Sequence, residues 1–104
     1  MDDIITLINQ TFAQDEIGVE IATDTKTPVW AHLQSATRAE FFSAGQSGLQ
    51  PSLVAVTPIA NYSGQKIAEW RGNRYSIYRT YFAEGGDEIE LYLEEKVGND
   101  VENG

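Results

Sequence analysis

Hydrophobic and polar positions alternate along residues 74–95, which read RYSIYRTYFAEGGDEIELYLEE. A side-chain period of two places neighbouring residues on opposite faces of a sheet, and aromatic or β-branched residues suit such a surface. The segment Glu-Gly-Gly-Asp at residues 84–87 supplies a turn. The pattern predicts a β-hairpin. Its first strand has Tyr75, Ile77, Arg79 and Tyr81 on one face, and its second strand buries Ile89, Leu91 and Leu93 while Glu88, Glu90 and Glu94 face outward.

Four further strands are predicted upstream of this hairpin, at residues 4–12, 29–36, 53–59 and 66–70, because each run is rich in apolar or β-branched residues. Residues 13–28 are polar and contain glycine and proline, so we expect a long connection there. Pro58 lacks a backbone donor and marks a strand end or an edge strand. Gly72-Asn73 suits a tight turn into the final hairpin.

A short helix interrupts the strands. Thr37 and Glu40 have the spacing of a capping box, in which each side chain accepts a hydrogen bond from the other residue's backbone N–H. Gly45 and Gly48 follow within a few residues and favour the end of a helix. We therefore expect a short helix over residues 38–44 and a loop over residues 46–51.

Together these elements predict an all-β fold, a small β-barrel of about six short antiparallel strands with one short helix or long loop near residues 37–51. A chain of 104 residues has the size of one domain. We expect this domain to occupy residues 1–97, with residues 38–51 projecting from it, and a flexible tail at residues 98–104.

The composition restricts the chemistry of the chain. Sixteen acidic and seven basic residues give a net charge of −9, which disfavours sequence-specific DNA binding because such binding neutralises phosphates. There is no cysteine, so disulfides and thiolate metal sites are excluded. No apolar run reaches the roughly 18 residues of a membrane span. The first ten residues lack the lysine or arginine of a signal peptide, so we expect neither export nor a membrane.

The charge is unevenly distributed. Residues 66–79 contain four basic residues and one acid, whereas residues 1–24 contain six acids and no base. Residues 84–104 contain eight acids and only Lys96. Two interpretations stay open: a solvated acidic surface with one basic strand pair, or electrostatic complementarity between copies of the same chain.

Candidate catalytic residues are few. His32 is the only histidine, and we interpret it as an ordinary residue on the surface of a sheet. Glu88 and Glu90 lie on the solvent face of an amphipathic strand rather than forming an acid–base pair. The tyrosines of the hairpin fit two roles: a stacking platform for single-stranded nucleic acid, or packing between neighbouring strands. Packing between strands is the simpler interpretation. We therefore expect no enzyme activity, no cofactor and no metal.

Two blocks of the chain together resemble one protein family. Residues 35–51 read SATRAEFFSAGQSGLQP, and residues 62–95 read YSGQKIAEWRGNRYSIYRTYFAEGGDEIELYLEE. They are similar to the head-closure, or stopper, proteins of tailed phages, also called head–tail connector proteins, of Gram-positive siphophages and prophages. The family pattern G-x-x-Y-x-I/V-Y-R is matched by Gly72, Tyr75, Ile77, Tyr78 and Arg79, and a terminal I-E-L-Y is matched by residues 89–92.

The resemblance implies a structural protein of the virion, made in the bacterial host cytoplasm and located at the head–tail interface. Its partners would be copies of itself in a homo-oligomeric ring of about 6 or 12 subunits. The portal or adaptor ring would lie above this ring, and a tail completion or tail tube protein would lie below it. The ring would close the DNA-filled head, retain the genome and offer the tail a docking surface. DNA would pass through its channel without sequence-specific binding.

The resemblance also implies candidate sites. The projecting segment would form a channel loop that includes Arg38, Glu40, Phe41, Phe42, Gly45, Gln46, Ser47, Gly48 and Leu49. The charge distribution predicts ring contacts between Arg71, Arg74 and Arg79 of one copy and Glu88, Glu90 and Glu94 of the next. For the two phenylalanines, two interpretations stay open: contacts between loops of neighbouring subunits, or a cap on one end of the barrel.

An alternative function of another class also remains. A monomeric SH3-like or OB-like barrel would use its aromatic face to bind a peptide or single-stranded nucleic acid. Self-association distinguishes the two functions, because a ring subunit must bind other copies of the same chain.

Overall fold

A computed structural model describes residues 1–95. It contains the strands β1 (Asp2–Gln14), β2 (Glu20–Ser35), β3 (Pro51–Pro58), β4 (Ile67–Trp70), β5 (Asn73–Tyr81) and β6 (Glu88–Glu95). The helix α1 (Arg38–Gly45) and one 3₁₀ turn (Ile59–Asn61) complete the fold. The predicted all-β class with one short helix is thereby confirmed. The predicted tail at residues 98–104 and the predicted domain end at residue 97 lie outside the described residues.

All six strands join into one closed barrel in the order β1-β2-β3-β6-β5-β4. Every pairing is antiparallel, and the ring of strands closes where Thr6, Leu7 and Ile8 of β1 pair with Glu69, Ala68 and Ile67 of β4. The six-stranded barrel expected from the sequence is confirmed. Pro58 ends β3, which is an interior strand because it pairs with both β2 and β6.

The barrel interior is filled by side chains that alternate along each strand. Its core cluster consists of Ile5, Leu7, Val29, Ala31, Leu33, Ala55, Ala68, Tyr75, Ile77, Ile89, Leu91 and Leu93. The buried hydroxyl of Thr57 donates to the Trp30 carbonyl at 2.7 Å and accepts from Asn61, so this polar group is satisfied. The predicted orientation of β6 is confirmed, since its three core residues are at most 3% exposed.

The expectation of a long connection over residues 13–28 is wrong. β1 and β2 form a hairpin that pairs without interruption from Asp2–His32 to Gln14–Glu20, and only residues 15–19 turn the chain. The sequence between Ala22 and Thr27 alternates threonines with charged residues, and β-branched threonine suits a strand. Residues 9–27 are all exposed and are paired only within this hairpin. We call them the arm.

The alternation predicted for β5 is also interrupted. Ile77 pairs with Leu93, but Arg79 pairs with Tyr92, so a β-bulge at Tyr78 adds one residue to β5. A one-residue shift moves all later side chains to the other face. Arg79 and Tyr81 therefore lie outside with Tyr92, and not inside with Ile77 as the simple alternation predicts.

The turn between β4 and β5 uses Arg71-Gly72 rather than the predicted Gly72-Asn73. Trp70 pairs with Asn73, which leaves Arg71 at φ 51° and Gly72 at φ 81° as the two central residues. Both angles are positive, as a type I′ hairpin turn requires. Asn73 begins β5 instead of occupying the turn.

The register of β6 leads to a prediction about the stability of the fold. Leu91 has no exposed surface, so replacing it with alanine should lower the free energy of unfolding by about 2–5 kcal/mol through the cavity that remains. Its half-buried neighbour Glu90 is the matched control, and Glu90→Gln should cost about 0.5 kcal/mol or less. Urea unfolding of both variants measures the difference, and equal losses would contradict the register.

Candidate functional site

The helix α1 starts at a threonine cap. Thr37 has extended backbone angles, and its hydroxyl oxygen accepts a hydrogen bond from the Glu40 backbone N–H at 3.1 Å. This half of the predicted capping box is confirmed. The reciprocal half is wrong, because the Glu40 carboxylate does not return to Thr37 but reaches across to strand β5.

That carboxylate clamps α1 to the barrel wall. The Tyr78 hydroxyl donates to Glu40 Oε2 at 2.6 Å, Arg79 Nη2 donates to Oε1 at 2.6 Å, and Arg79 Nε donates to Oε2 at 3.2 Å. Two parallel N–H donors on one carboxylate form a bidentate pair, which is stronger and more directional than a single contact. The Glu40 side chain is only 11% exposed, so water competes weakly for it. We call these three residues the clamp.

The ring of Tyr92, on the neighbouring strand β6, contacts both Arg79 and Tyr78 of the clamp. The Arg79 guanidinium lies 3.8 Å from the centre of the Tyr92 ring, and Tyr78 meets the same ring edge to face at 6.3 Å. The Tyr92 hydroxyl donates to Glu90. Cation–π and edge-to-face contacts hold the guanidinium and the phenol at fixed positions, so α1 docks onto a rigid surface.

The clamp shifts the ionisation of its members. The hydrogen bonds from Arg79 lower the pKa of Glu40 below its usual 4.5, and the Tyr78 hydroxyl adds to this effect. Burial raises the pKa of Tyr78, and its hydrogen bond to the Glu40 carboxylate raises it further. Glu40 is therefore ionised and Tyr78 is a donor over the whole neutral range.

The far end of α1 is closed by its own backbone. Leu49 N–H donates to the Ala44 carbonyl at 3.2 Å and Gly48 N–H donates to the Gly45 carbonyl at 3.0 Å. With Gly48 at φ 83°, this is a Schellman motif, in which glycine avoids the strain of a left-handed backbone. Gln50 N–H then donates to the Glu94 carboxylate at 2.9 Å. The predicted channel segment is thus tied to the barrel at both ends.

The two phenylalanines of the segment are exposed, whereas its Ala44 is buried. Phe41 and Phe42 are 51% and 61% exposed and contact each other edge to face. Neither belongs to the core cluster, which disfavours the interpretation that they cap the barrel. They line a depression of about 440 Å³ with Ala36, Thr37 and Arg38. Gly45, Gln46 and Ser47 are exposed beside it.

The three arginines predicted for ring contacts each have an acidic neighbour in their own chain. Arg79 pairs with Glu40 as described, and Arg74 lies 3.6 Å from Glu69 and 3.9 Å from Asp24. Arg71 stacks over the Trp70 ring at 4.6 Å and lies 3.7 Å from Asp3. To contact a neighbouring subunit in a ring, each arginine would have to share its acidic partner or exchange it for an acid of the neighbour. Their role in a ring stays a prediction.

Of the three predicted acidic partners, Glu94 and Glu90 accept hydrogen bonds within the chain. Glu88 instead lines two neighbouring depressions on the outer face of the barrel, of about 320 and 200 Å³. Aromatic and acidic side chains surround these depressions, namely Asp2, Trp30, His32, Tyr81, Phe82, Asp87 and Glu90. His32 lies on the outer sheet face, as expected, and pairs with Asp2 at 2.7 Å.

Sequence reasoning missed the clamp and the arm. Glu40 is 39 positions from Arg79, and no local pattern links them. The arm did carry a signal, since the threonines at 23, 25 and 27 recur with the period of a strand.

Residues 1–95 carry neither of two further features. Within them no cluster of three or more His, Cys, Asp or Glu side chains has the arrangement of a metal site. No helix in this part of the chain is long and apolar enough to cross a membrane.

The clamp makes a prediction about pH. Because folding lowers the pKa of Glu40, the clamp's contribution to stability is complete above the usual glutamate pKa and is lost as the pH falls through the lower folded value. Glu40→Gln should therefore reduce the free energy of unfolding by about 1–2 kcal/mol at pH 7, since Arg79 is partly exposed and screened. The gap between wild type and variant should narrow below about pH 4.5.

Urea unfolding at several pH values measures this gap, and Glu84→Gln, at an exposed loop position, serves as the control. Hydrogen exchange gives an independent reading. The amides of Leu49 and Gln50 should exchange faster in Glu40→Gln, while those of Ile77 and Leu91 should not. A pH-independent gap, or unchanged exchange at residues 49 and 50, would contradict the clamp.

The sequence was also compared with known proteins. No protein-family model matches the chain, and no curated protein matches it.

Proposed function

We propose that this chain is a structural protein of the tailed-phage virion that forms a ring below the portal or adaptor. The ring closes the DNA-filled head and offers the docking surface for the tail. The resemblance of residues 35–51 and 62–95 to stopper proteins suggests this role, and the small closed barrel is compatible with it. The function is assembly, without catalysis and without a cofactor.

One observation carries the proposal beyond the resemblance. Both segments that leave the barrel, the arm and α1, expose large apolar side chains, and Ile17 and Phe42 are 82% and 61% exposed. Exposed apolar patches on a small domain mark interaction sites. A monomeric binding barrel needs one such surface, whereas a ring subunit needs two, one for each neighbour.

The clamp fits a segment that closes a channel and later opens it. Confined DNA pushes outward, so a closing element must be held firmly until ejection. The clamp holds α1 through one carboxylate, and loss of this one group would free the helix from β5. Gly45 and Gly48 permit a different backbone path once the helix is released.

Charge supports a channel in which DNA does not stick. A net charge of −9 repels phosphate groups, so a wall of these subunits would let DNA slide. The alternative of a nucleic-acid module is less well supported. Tyr81 and Phe82 are half exposed, but the depression beside them is lined by Asp87, Glu88 and Glu90 and by no base.

The first functional prediction concerns genome retention. In a phage or prophage that encodes this chain, heads lacking the protein should fill with DNA, fail to retain it and remain without tails. Nuclease-resistant DNA per head and electron microscopy of the particles measure the two defects. Heads that keep a full genome without the protein would contradict the proposal.

Removing residues 45–49 should separate closure from docking. The clamp and the barrel stay intact, so these heads should still recruit tails but lose DNA before or during joining. Glu40→Gln keeps the full chain length and should show a milder form of the same leak. If the shortened protein retains DNA as well as the wild type, the segment does not close the channel.

The third functional prediction concerns the basic strands. Arg74→Glu should weaken assembly of the subunit on the portal–adaptor complex, because it reverses a charge predicted to face an acidic neighbour. Glu69→Gln removes the nearer of the two internal partners of Arg74 but keeps the arginine, so it should assemble normally. Co-sedimentation with the portal–adaptor complex compares the two. Normal assembly of Arg74→Glu, with DNA binding by the wild type that falls steeply with salt, would favour the nucleic-acid module.

A further inference from the structure

The arm extends from the barrel as an isolated ribbon of two strands. β4 pairs with β1 only at residues 6–8, and β3 pairs with β2 only at residues 32–35. From residue 9 to residue 27 the backbone therefore pairs only within the hairpin. A two-stranded ribbon is marginally stable by itself in water, so a surface that covers the arm would stabilise it.

The tip of the arm is a hydrogen-bonded turn that exposes two apolar side chains. The Asp15 carboxylate accepts from the backbone N–H groups of Ile17 and Val19 at 3.0 and 2.9 Å, which fixes the turn. This turn presents Ile17 at 82% exposure and Val19 at 51% exposure. Phe12 and Ile21 are also about half exposed, but the register places them on opposite faces of the ribbon, since Phe12 pairs with Ala22 and Ile21 pairs with Ala13.

The depression beside α1 has matching chemistry. Phe41 and Phe42 supply apolar walls, and Arg38 lies at the same depression. Arg38 forms no salt bridge with any residue between 1 and 95, unlike Arg71, Arg74 and Arg79. The arm carries four acids and a single lysine, with Glu16 next to Ile17 at the tip. An apolar tip with an acidic flank thus complements an apolar depression with a free cation.

The two surfaces cannot meet within one chain. The tip precedes β2 and α1 follows it, and the 16 residues of β2 place them at opposite ends of the strand. At about 3.3 Å per residue the strand spans roughly 50 Å. This length is comparable with the 47 Å long axis of the described residues. Complementary surfaces at opposite ends of a subunit pair head to tail with another copy.

We propose that the arm of one copy docks into the α1 depression of the next, with Ile17 and Val19 against Phe41 and Phe42 and Glu16 beside Arg38. Such a contact is heterologous, so it produces a ring if the rotation closes and a filament if it does not. Closure into a ring rests on the proposed function, whereas the head-to-tail contact itself does not. The occupant of the depression is a second copy of this chain.

Two single variants test the contact on the purified full-length chain. Ile17→Asp disables the arm but keeps the depression, and Phe42→Asp disables the depression but keeps the arm. Analytical ultracentrifugation up to about 1 mM should show self-association of the wild type and at least about tenfold weaker association of each variant. Phe82→Asp, at an aromatic residue 54% exposed elsewhere, is the control and should associate like the wild type. Circular dichroism confirms that each variant folds.

The mixture of the two variants gives the sharpest result. An equimolar mixture contains one intact arm and one intact depression, so it should form a dimer that cannot grow further. A contact between like surfaces would instead let one variant associate by itself, because Ile17→Asp keeps its depression and Phe42→Asp keeps its arm. A monomeric mixture, or a wild type that stays monomeric at 1 mM, would overturn the proposal.

Cysteine trapping locates the contact, because the natural chain has no cysteine. Under oxidation, Glu16→Cys mixed with Arg38→Cys should give a cross-linked dimer, and Glu84→Cys mixed with Arg38→Cys should not. Absence of the first cross-link overturns the arm contact but not head closure, if heads still need the protein to retain DNA. Heads that retain DNA without the protein overturn head closure, whatever the cross-link shows.

Discussion

Three residue pairs between β1 and β4 close the barrel, and the rest of the fold depends on them. Thr6, Leu7 and Ile8 meet Glu69, Ala68 and Ile67, and this short contact turns a row of strands into a ring of strands. Closure encloses one core, with Leu7 and Ala68 fully buried at the seam. Beyond this seam, β1 no longer pairs with β4. Beyond Ile8 the strand continues with β2 alone, so the same contact that seals the core also defines where the arm begins.

A second long-range interaction fixes the helix. The bulge at Tyr78 turns Tyr78 and Arg79 so that both reach Glu40, and Tyr92 supports the guanidinium from the neighbouring strand. A charge-assisted bidentate pair whose carboxylate is largely buried is stronger than the single capping contact that Glu40 gives up. The helix is therefore positioned by the barrel wall and not only by its own cap. Its exposed phenylalanines are held in place, which is what a docking surface needs.

The arm and the helix give this small domain two apolar surfaces at opposite ends of one strand. Each surface is accompanied by charge, acidic on the arm and basic at Arg38. In a single subunit both surfaces are exposed to water, which is typical of interaction sites. Assembly into a closed ring would cover both with one type of contact. This covering of both surfaces by one contact links the fold to the proposed role at the head–tail junction. There, a wall of acidic subunits would surround DNA.

The sequence by itself determined the features that depend on neighbouring residues. Alternation in β6 fixed Leu91 inside and Glu90 outside, Thr37 fixed the start of α1, and Gly48 fixed its end. Only the tertiary structure decided which strands pair, where the bulge lies, and that Glu40 binds Arg79 instead of its own helix end. It also turned residues 20–28 from an expected connection into a strand. The reason is that a period of two is a local property, whereas register and charge pairing join residues far apart in the chain.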